Sequence, residues 1–186
     1  MDRLQRAAVI LSLIESLRNK GSWCGETHVQ KAVFFLQFML GVPLEYRFIL
    51  YKHGPFSFDL RDEITEMRVD GFLKLEPQPY PYGPSLVPDK GSDLLKQIVG
   101  RFSEQYAEQL GFVARELGEK GVTELERLGT ALYLAEVKKV TGSVEGRAQV
   151  MIELKPHITL DFALSAVAEV DRMKRSAAGL TVEGAA

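Results

Sequence analysis

Cys24 and His28 are the pair in this chain whose types and spacing come nearest to nucleophilic chemistry. They flank an expected helix start, where a helix N-terminus can stabilise a thiolate. A working cysteine nucleophile also needs a base in reach and an orienting third group, which the sequence does not mark. The alternative is a half-buried thiol beside Trp23 and a polar histidine in a cap region. The three histidines, His28, His53 and His157, are too scattered for ligand spacing, and no His-Glu-x-x-His pattern occurs. A single cysteine permits neither an intramolecular disulfide nor a cysteine-based zinc cluster. With no phosphate loop and no Gly-x-Gly-x-x-Gly, nucleotide chemistry is disfavoured. The expectation is a non-catalytic chain without metal or cofactor.

Binding chemistry has more candidates. In His53-Gly54-Pro55, His53 and Lys52 could meet an acidic ligand, or the three residues could simply make a stiff turn with a locally bonded histidine. Asp59, Asp62, Glu63, Glu66 and Asp70 recur at helical offsets, so their carboxylates share one side of a helix, with Arg61 and Arg68 opposite. Such a helix approaches a polyanion with net repulsion, against which specific base contacts bring only ~1–3 kcal/mol each. The stripe is expected to be either a solvated face or a surface that docks on a basic partner. Tyr80 and Tyr82, on the proline-rich run 77–84, are either interface anchors held at low entropy cost or side chains packed back on the domain.

The elements that must position these residues follow from periodicity and punctuation. A first helix is expected over residues 4–19, with Asp2 as N-cap and Leu4, Ala7, Ala8, Leu11, Ile14 and Leu17 inward. Thr27 and Gln30 suggest a capping box for a second helix, whose body (31–40) is apolar on almost every face and therefore buried. Residues 45–52 read as one short strand and His53-Gly54-Pro55 as a turn. Ser57 caps a third helix with Leu60, Ile64 and Met67 inward, ending at Gly71. Residues 72–76 and 85–88 read as strands around the stiff loop. Helical patterns then resume from Gly91, with a second capping-box candidate at Thr123 heading a helix to about residue 139. Helices at 144–154 and 159–174 follow. The expected fold is mainly α with a small β wing, winged helix-turn-helix-like, plus C-terminal helices. Its expected divisions are a domain over 1–100, a helical extension over 101–176 and a frayed tail over 177–186.

Composition agrees with a globular chain that can bury a real core: 46% hydrophobic and 26% charged residues. Twenty-three basic against twenty-five acidic residues give none of the basic excess that phosphate-holding domains show. The longest apolar run, Ala32-Val33-Phe34-Phe35-Leu36 and its continuation to Leu40, falls far short of the ~20 residues that span a bilayer. The amphipathic start does not read as a signal peptide. A cytosolic protein is expected.

Val29-Gln30-Lys31-Ala32-Val33-Phe34-Phe35, Tyr51-Lys52-His53-Gly54-Pro55-Phe56-Ser57 and Gly71-Phe72-Leu73 resemble the Panacea-like winged-helix domains found in many bacterial antitoxins. They also look like short bacterial and archaeal proteins of the YwgA type, to which Leu154-Lys155-Pro156-His157 is similar. The resemblance implies a winged-helix binding module, in some members a neutraliser of a toxic partner, and brings no catalytic residue. The expected function is a protein-binding regulatory module, an antitoxin or defence-locus partner that occludes another protein. The alternative is a DNA-binding regulator in which Lys138, Lys139, Arg147 and Lys155 carry the phosphates.

Overall fold

The computed structural model of the chain describes residues 1–80 and 82–182. Helix α1 (Arg3–Arg18) begins at Asp2, whose carboxylate accepts from the Gln5 amide at 2.9 Å while Gln5 Oε1 accepts from the Asp2 amide at 3.0 Å. Both orphan donors of the first turn are thereby satisfied. Val9, Ile10 and Leu13 are buried along with Ala7, Ala8, Leu11, Ile14 and Leu17 of the expected stripe, so α1 is enclosed nearly all round from Ala7 onward, whereas Leu4, expected inward, is 37% exposed. Helix α2 (Glu26–Phe38) is the second central helix, buried from His28 to Leu36. Its start differs from the expected capping box: Gly25 is the N-cap and supplies no side-chain bond. Gln30 does not reach back to its own helix because Ser57, from another segment, takes both ends of its amide.

The expected strand over 45–52 is shorter. Glu45 takes a left-handed backbone (φ 64°), which interrupts an extended run, and β1 covers Ile49–Tyr51 alone. It pairs antiparallel with β2 (Gly54–Phe56), in the register Ile49↔Phe56, Leu50↔Pro55 and Tyr51↔Gly54. The segment read as a plain turn is therefore half of a hairpin. Ser57 then caps α3 (Phe58–Val69), its Oγ accepting from the Leu60 amide at 3.2 Å. Leu60, Ile64 and Met67 face the core as expected. Strands β3 (Leu73–Glu76) and β4 (Ser85–Pro88) form the antiparallel wing, Leu73↔Pro88 through Glu76↔Ser85.

Helices α4 (Ser92–Glu104) and α5 (Ala107–Leu117) pack on α1, so the expected division at residue 100 falls inside α4. Helix α6 (Val122–Glu136) lies against α2 and β2, and α7 (Val144–Leu154) and α8 (Leu160–Ala177) pack on it and on each other. Helix α6 starts at Gly121 rather than at Thr123. One hydrophobic cluster takes in residues of all these helices. Among the described residues there are eight helices and two two-stranded sheets. The protein is mainly helical with a small β wing and appended C-terminal helices.

Residues 177–182, assigned to the tail, make specific contacts. Ala177 is buried, Gln109 Nε2 donates to the Leu180 carbonyl at 2.8 Å, and the Val182 amide donates to the Leu40 carbonyl at 2.8 Å. Its small apolar residues gain partners at the end of α2. Residues 183–186, also assigned to that tail, and Pro81 of the proline-rich loop lie outside the described residues. No described helix is long and apolar enough to cross a membrane.

Candidate functional site

The hairpin β1–β2 stands on a charged anchor assembled from four separate stretches of sequence. At its centre is Glu126 of α6, almost completely buried. Its Oε1 lies 3.1 Å from His157 Nε2 and 3.5 Å from Lys155 Nζ, and its Oε2 lies 3.8 Å from His53 Nδ1. Lys155, itself buried, also donates to the carbonyls of Tyr51 (2.6 Å) and Lys52 (2.8 Å), which fixes the end of β1. Two glycines permit the close approach. A Cβ on Gly129 of α6 would lie 2.9 Å from Pro55 Cδ, and one on Gly54 (φ 85°) would lie 3.2 Å from the Glu126 carbonyl. Gln30 closes the exit of the hairpin, its amide accepting from the Ser57 N–H and donating to the Ser57 carbonyl, each at 2.9 Å.

Lys31 lies beneath the same turn, its Cε close to Gly54 and its Cγ close to Gly129. It is 1% exposed and, among the described residues, has no carboxylate within 4.0 Å. Burial pulls its ammonium down to about 8; the attraction of Glu126 opposes the shift and the repulsion of Lys155 adds to it. The arrangement is a clamp. Amine and carboxylate are spent on each other and on backbone carbonyls, which suits holding a hairpin rigid.

Above that clamp the hairpin turns aromatic rings outward. Tyr51, Phe56 and Phe58 touch one another, with centroids 5.1 to 6.0 Å apart. Tyr51 is 54% exposed, Phe58 43% and the neighbouring Ile49 46%. The Arg61 guanidinium lies 5.0 Å over the Phe58 ring, and Arg47 approaches Asp59 at 3.4 Å. The result is a patch of aromatic and aliphatic surface with a charged rim, the composition of an interface core.

Of the acidic stripe of α3, Glu63 alone is buried, and Arg3 and Arg6 of α1 reach across to three of its carboxylates. Glu63 is 6% exposed; its Oε2 accepts from Arg6 Nε at 3.0 Å and from the Tyr46 hydroxyl at 2.6 Å. Burial and the Glu63 carboxylate hold the Tyr46 phenol far above its ordinary range. Asp70 and Glu66 pair with Arg3, the latter at 3.4 Å. Three of the five carboxylates thus meet arginines of the first turn of α1, but only Glu63 is buried; Asp59, Asp62, Glu66 and Asp70 are exposed, Asp62 bonded to Arg61 at 2.9 Å. Tyr80 is 98% exposed, whereas the Tyr82 ring leans on Trp23 at 4.9 Å.

The sulfur–histidine pair is not assembled. Cys24 is fully buried, its thiol pushed up by burial and donating to the Ile14 carbonyl at 3.5 Å. His28 Nδ1 is bonded to Ser22 Oγ at 2.9 Å instead. Of the basic residues expected to hold phosphates, Arg147 is bonded to Asp171 at 2.8 and 2.5 Å, Lys155 belongs to the clamp, and Lys139 pairs with Glu136 at 3.8 Å. The aromatic trio and Glu126 were missed in the sequence. The alternation of Tyr51, Phe56 and Phe58 about a His-Gly-Pro turn was a signal for the first, and Glu126 read as the carboxylate of the Thr123 capping box, a role it does not take. Among the described residues no group of three or more His, Cys, Asp or Glu side chains is placed to hold a metal. Comparison with family models and with curated proteins finds no match to this chain, so its function is argued from this geometry.

Proposed function

We propose that this chain is a non-catalytic, protein-binding regulatory module that works by occlusion, in the manner of an antitoxin or defence-locus partner. The observation that supports it is the contiguous aromatic patch of Tyr51, Phe56 and Phe58, where a hairpin locked to α6 meets the start of α3. Aromatic side chains presented on a rigid support lose little entropy on binding, and such residues carry most of the energy of protein interfaces. Asp59, Asp62, Arg47 and Arg61 would form the polar rim that fixes register. The resemblance to Panacea-like and YwgA-like proteins points the same way. Glu63 is answered internally, while Asp59, Asp62, Glu66 and Asp70 stay exposed and would favour a partner with a basic surface.

The test is affinity purification of the tagged chain from its native host, wild type against Tyr51→Ser/Phe58→Ser, with quantitative mass spectrometry. A stoichiometric partner present with the wild type and lost with the variant supports the reading, provided the variant keeps its helical circular dichroism. A partner retained equally by both, or duplex DNA co-purifying in place of protein, overturns it.

A further inference from the structure

On the other side of Arg61, α3 forms one wall of a groove of about 310 Å³. Its opposite wall is the start of α2 with Trp23, and the wing supplies Leu75, Pro84 and Leu86. This volume is at the low end for small-molecule pockets and leaves room for one or two side chains rather than a nucleotide cofactor. The wall from α3 presents Arg61, Ile64, Thr65 and Arg68, spaced so that all four face the same way. Of the two arginines, Arg61 is bonded to Asp62 at 2.9 Å and lies over Phe58, which leaves Arg68 as the guanidinium available to the groove. Arg68 is exposed and, among the described residues, has no carboxylate within 4.0 Å. The first turn of α2, facing it, carries no side-chain cap, so its amide dipole adds to the positive side; Glu26 is the one carboxylate lining the groove.

We propose that this groove binds an acidic peptide segment of a partner protein, one bulky apolar side chain entering between Trp23, Ile64 and Leu86 while an adjacent carboxylate meets Arg68. Charge complementarity selects the occupant: an apolar floor calls for a hydrophobic anchor, and the Arg68 guanidinium with an uncapped helix start calls for a carboxylate. The inference goes beyond the hairpin reading and is tested apart from it at Arg68, because Arg61 also rims the aromatic patch while Tyr51 and Phe56 do not line the groove.

Trp23 is the single tryptophan of the chain and lines the groove, so its emission reports occupancy directly. Random dodecapeptides displayed on phage are selected on the full chain, and the most enriched sequence is synthesised and titrated while Trp23 emission is followed. The expected result is enrichment of Asp or Glu next to Leu, Phe or Met, saturable change in Trp23 emission, and affinity reduced at least tenfold by Arg68→Glu. Tyr51→Ser should leave that affinity unchanged, which separates this site from the hairpin. Arg68 is exposed on α3, and equal melting temperatures check that its variant is folded. Enrichment without an acidic bias, affinity indifferent to Arg68→Glu, or Trp23 quenching by duplex DNA but by no selected peptide would each overturn the proposal.

Discussion

Replacing Glu126 by glutamine keeps the volume of the side chain and removes one charge at the foot of the hairpin. Two buried lysines, Lys31 and Lys155, then face each other without their shared counter-charge. His53 and His157 are more than half exposed, so their contacts at 3.8 and 3.1 Å contribute little. The Lys155 contact at 3.5 Å, between side chains 10% and 8% exposed, dominates. Removing one member of a buried pair typically costs about 3–5 kcal/mol, because the other charge is left uncompensated. Taking the low end, for the partial solvent access, gives a loss of about 3 kcal/mol, or roughly 6–12 °C in melting temperature for a chain of this size. Urea unfolding followed by circular dichroism measures it, and hydrogen exchange of residues 49–56 shows whether the hairpin opens first. The double variant Glu126→Gln/Lys155→Met removes the stranded ammonium and should recover part of the loss, with a coupling energy of about 1–3 kcal/mol. A single-variant cost below ~1 kcal/mol, or strict additivity, refutes the clamp.

Other outcomes follow from the same contacts. His28 is held down to about 4 by burial, so the folded state binds fewer protons than the unfolded one between there and the ordinary value near 6.5. Stability should therefore fall as pH drops through that window, by roughly 3 kcal/mol in all, and His28→Gln should flatten the profile. Lys31 titrates near 8 in the fold and near 10.5 when unfolded, so stability should rise from pH 8 towards 10.5, and Lys31→Met should abolish that rise without loss at neutral pH. Arg6→Ala leaves Glu63 buried and half-partnered and should cost about 3 kcal/mol by urea titration. Arg3→Ala, which breaks pairs 38% and 58% exposed in the case of Glu66, should cost under ~1 kcal/mol.

The parts of the fold that were legible are those written locally. Asp2 with Gln5, Ser57 ahead of Leu60, and Gly71 after α3 each act within a few residues, and the expected helix ends there are met. What escaped was decided at long range. Gln30 and Thr27 spell a capping box, yet Ser57 outcompetes the helix for the Gln30 amide. Strand β2 is three residues long and contains Pro55, which has no N–H to advertise a ladder; only its pairing with Ile49–Tyr51 makes it a strand. The acidic periodicity of α3 was plain, but its answer lies 57 and 67 positions away in Arg6 and Arg3. Lys31, His53 and the Lys155-Pro156-His157 run were each visible as punctuation. Their meeting point, Glu126, reads locally as the carboxylate of the Thr123 capping box, and its actual partners become legible only when α6 is seen against α2 and the hairpin.

The central claim is that the aromatic hairpin face contacts a protein. It is tested most directly by placing a photo-crosslinking phenylalanine analogue at Tyr51, at Phe58 and, as a control, at Leu94, an exposed apolar position on α4. After irradiation in the native host, positions 51 and 58 should each give one and the same protein adduct, and position 94 should not. Equal labelling at all three positions, or adducts at 51 and 58 with nucleic acid alone, would contradict the account.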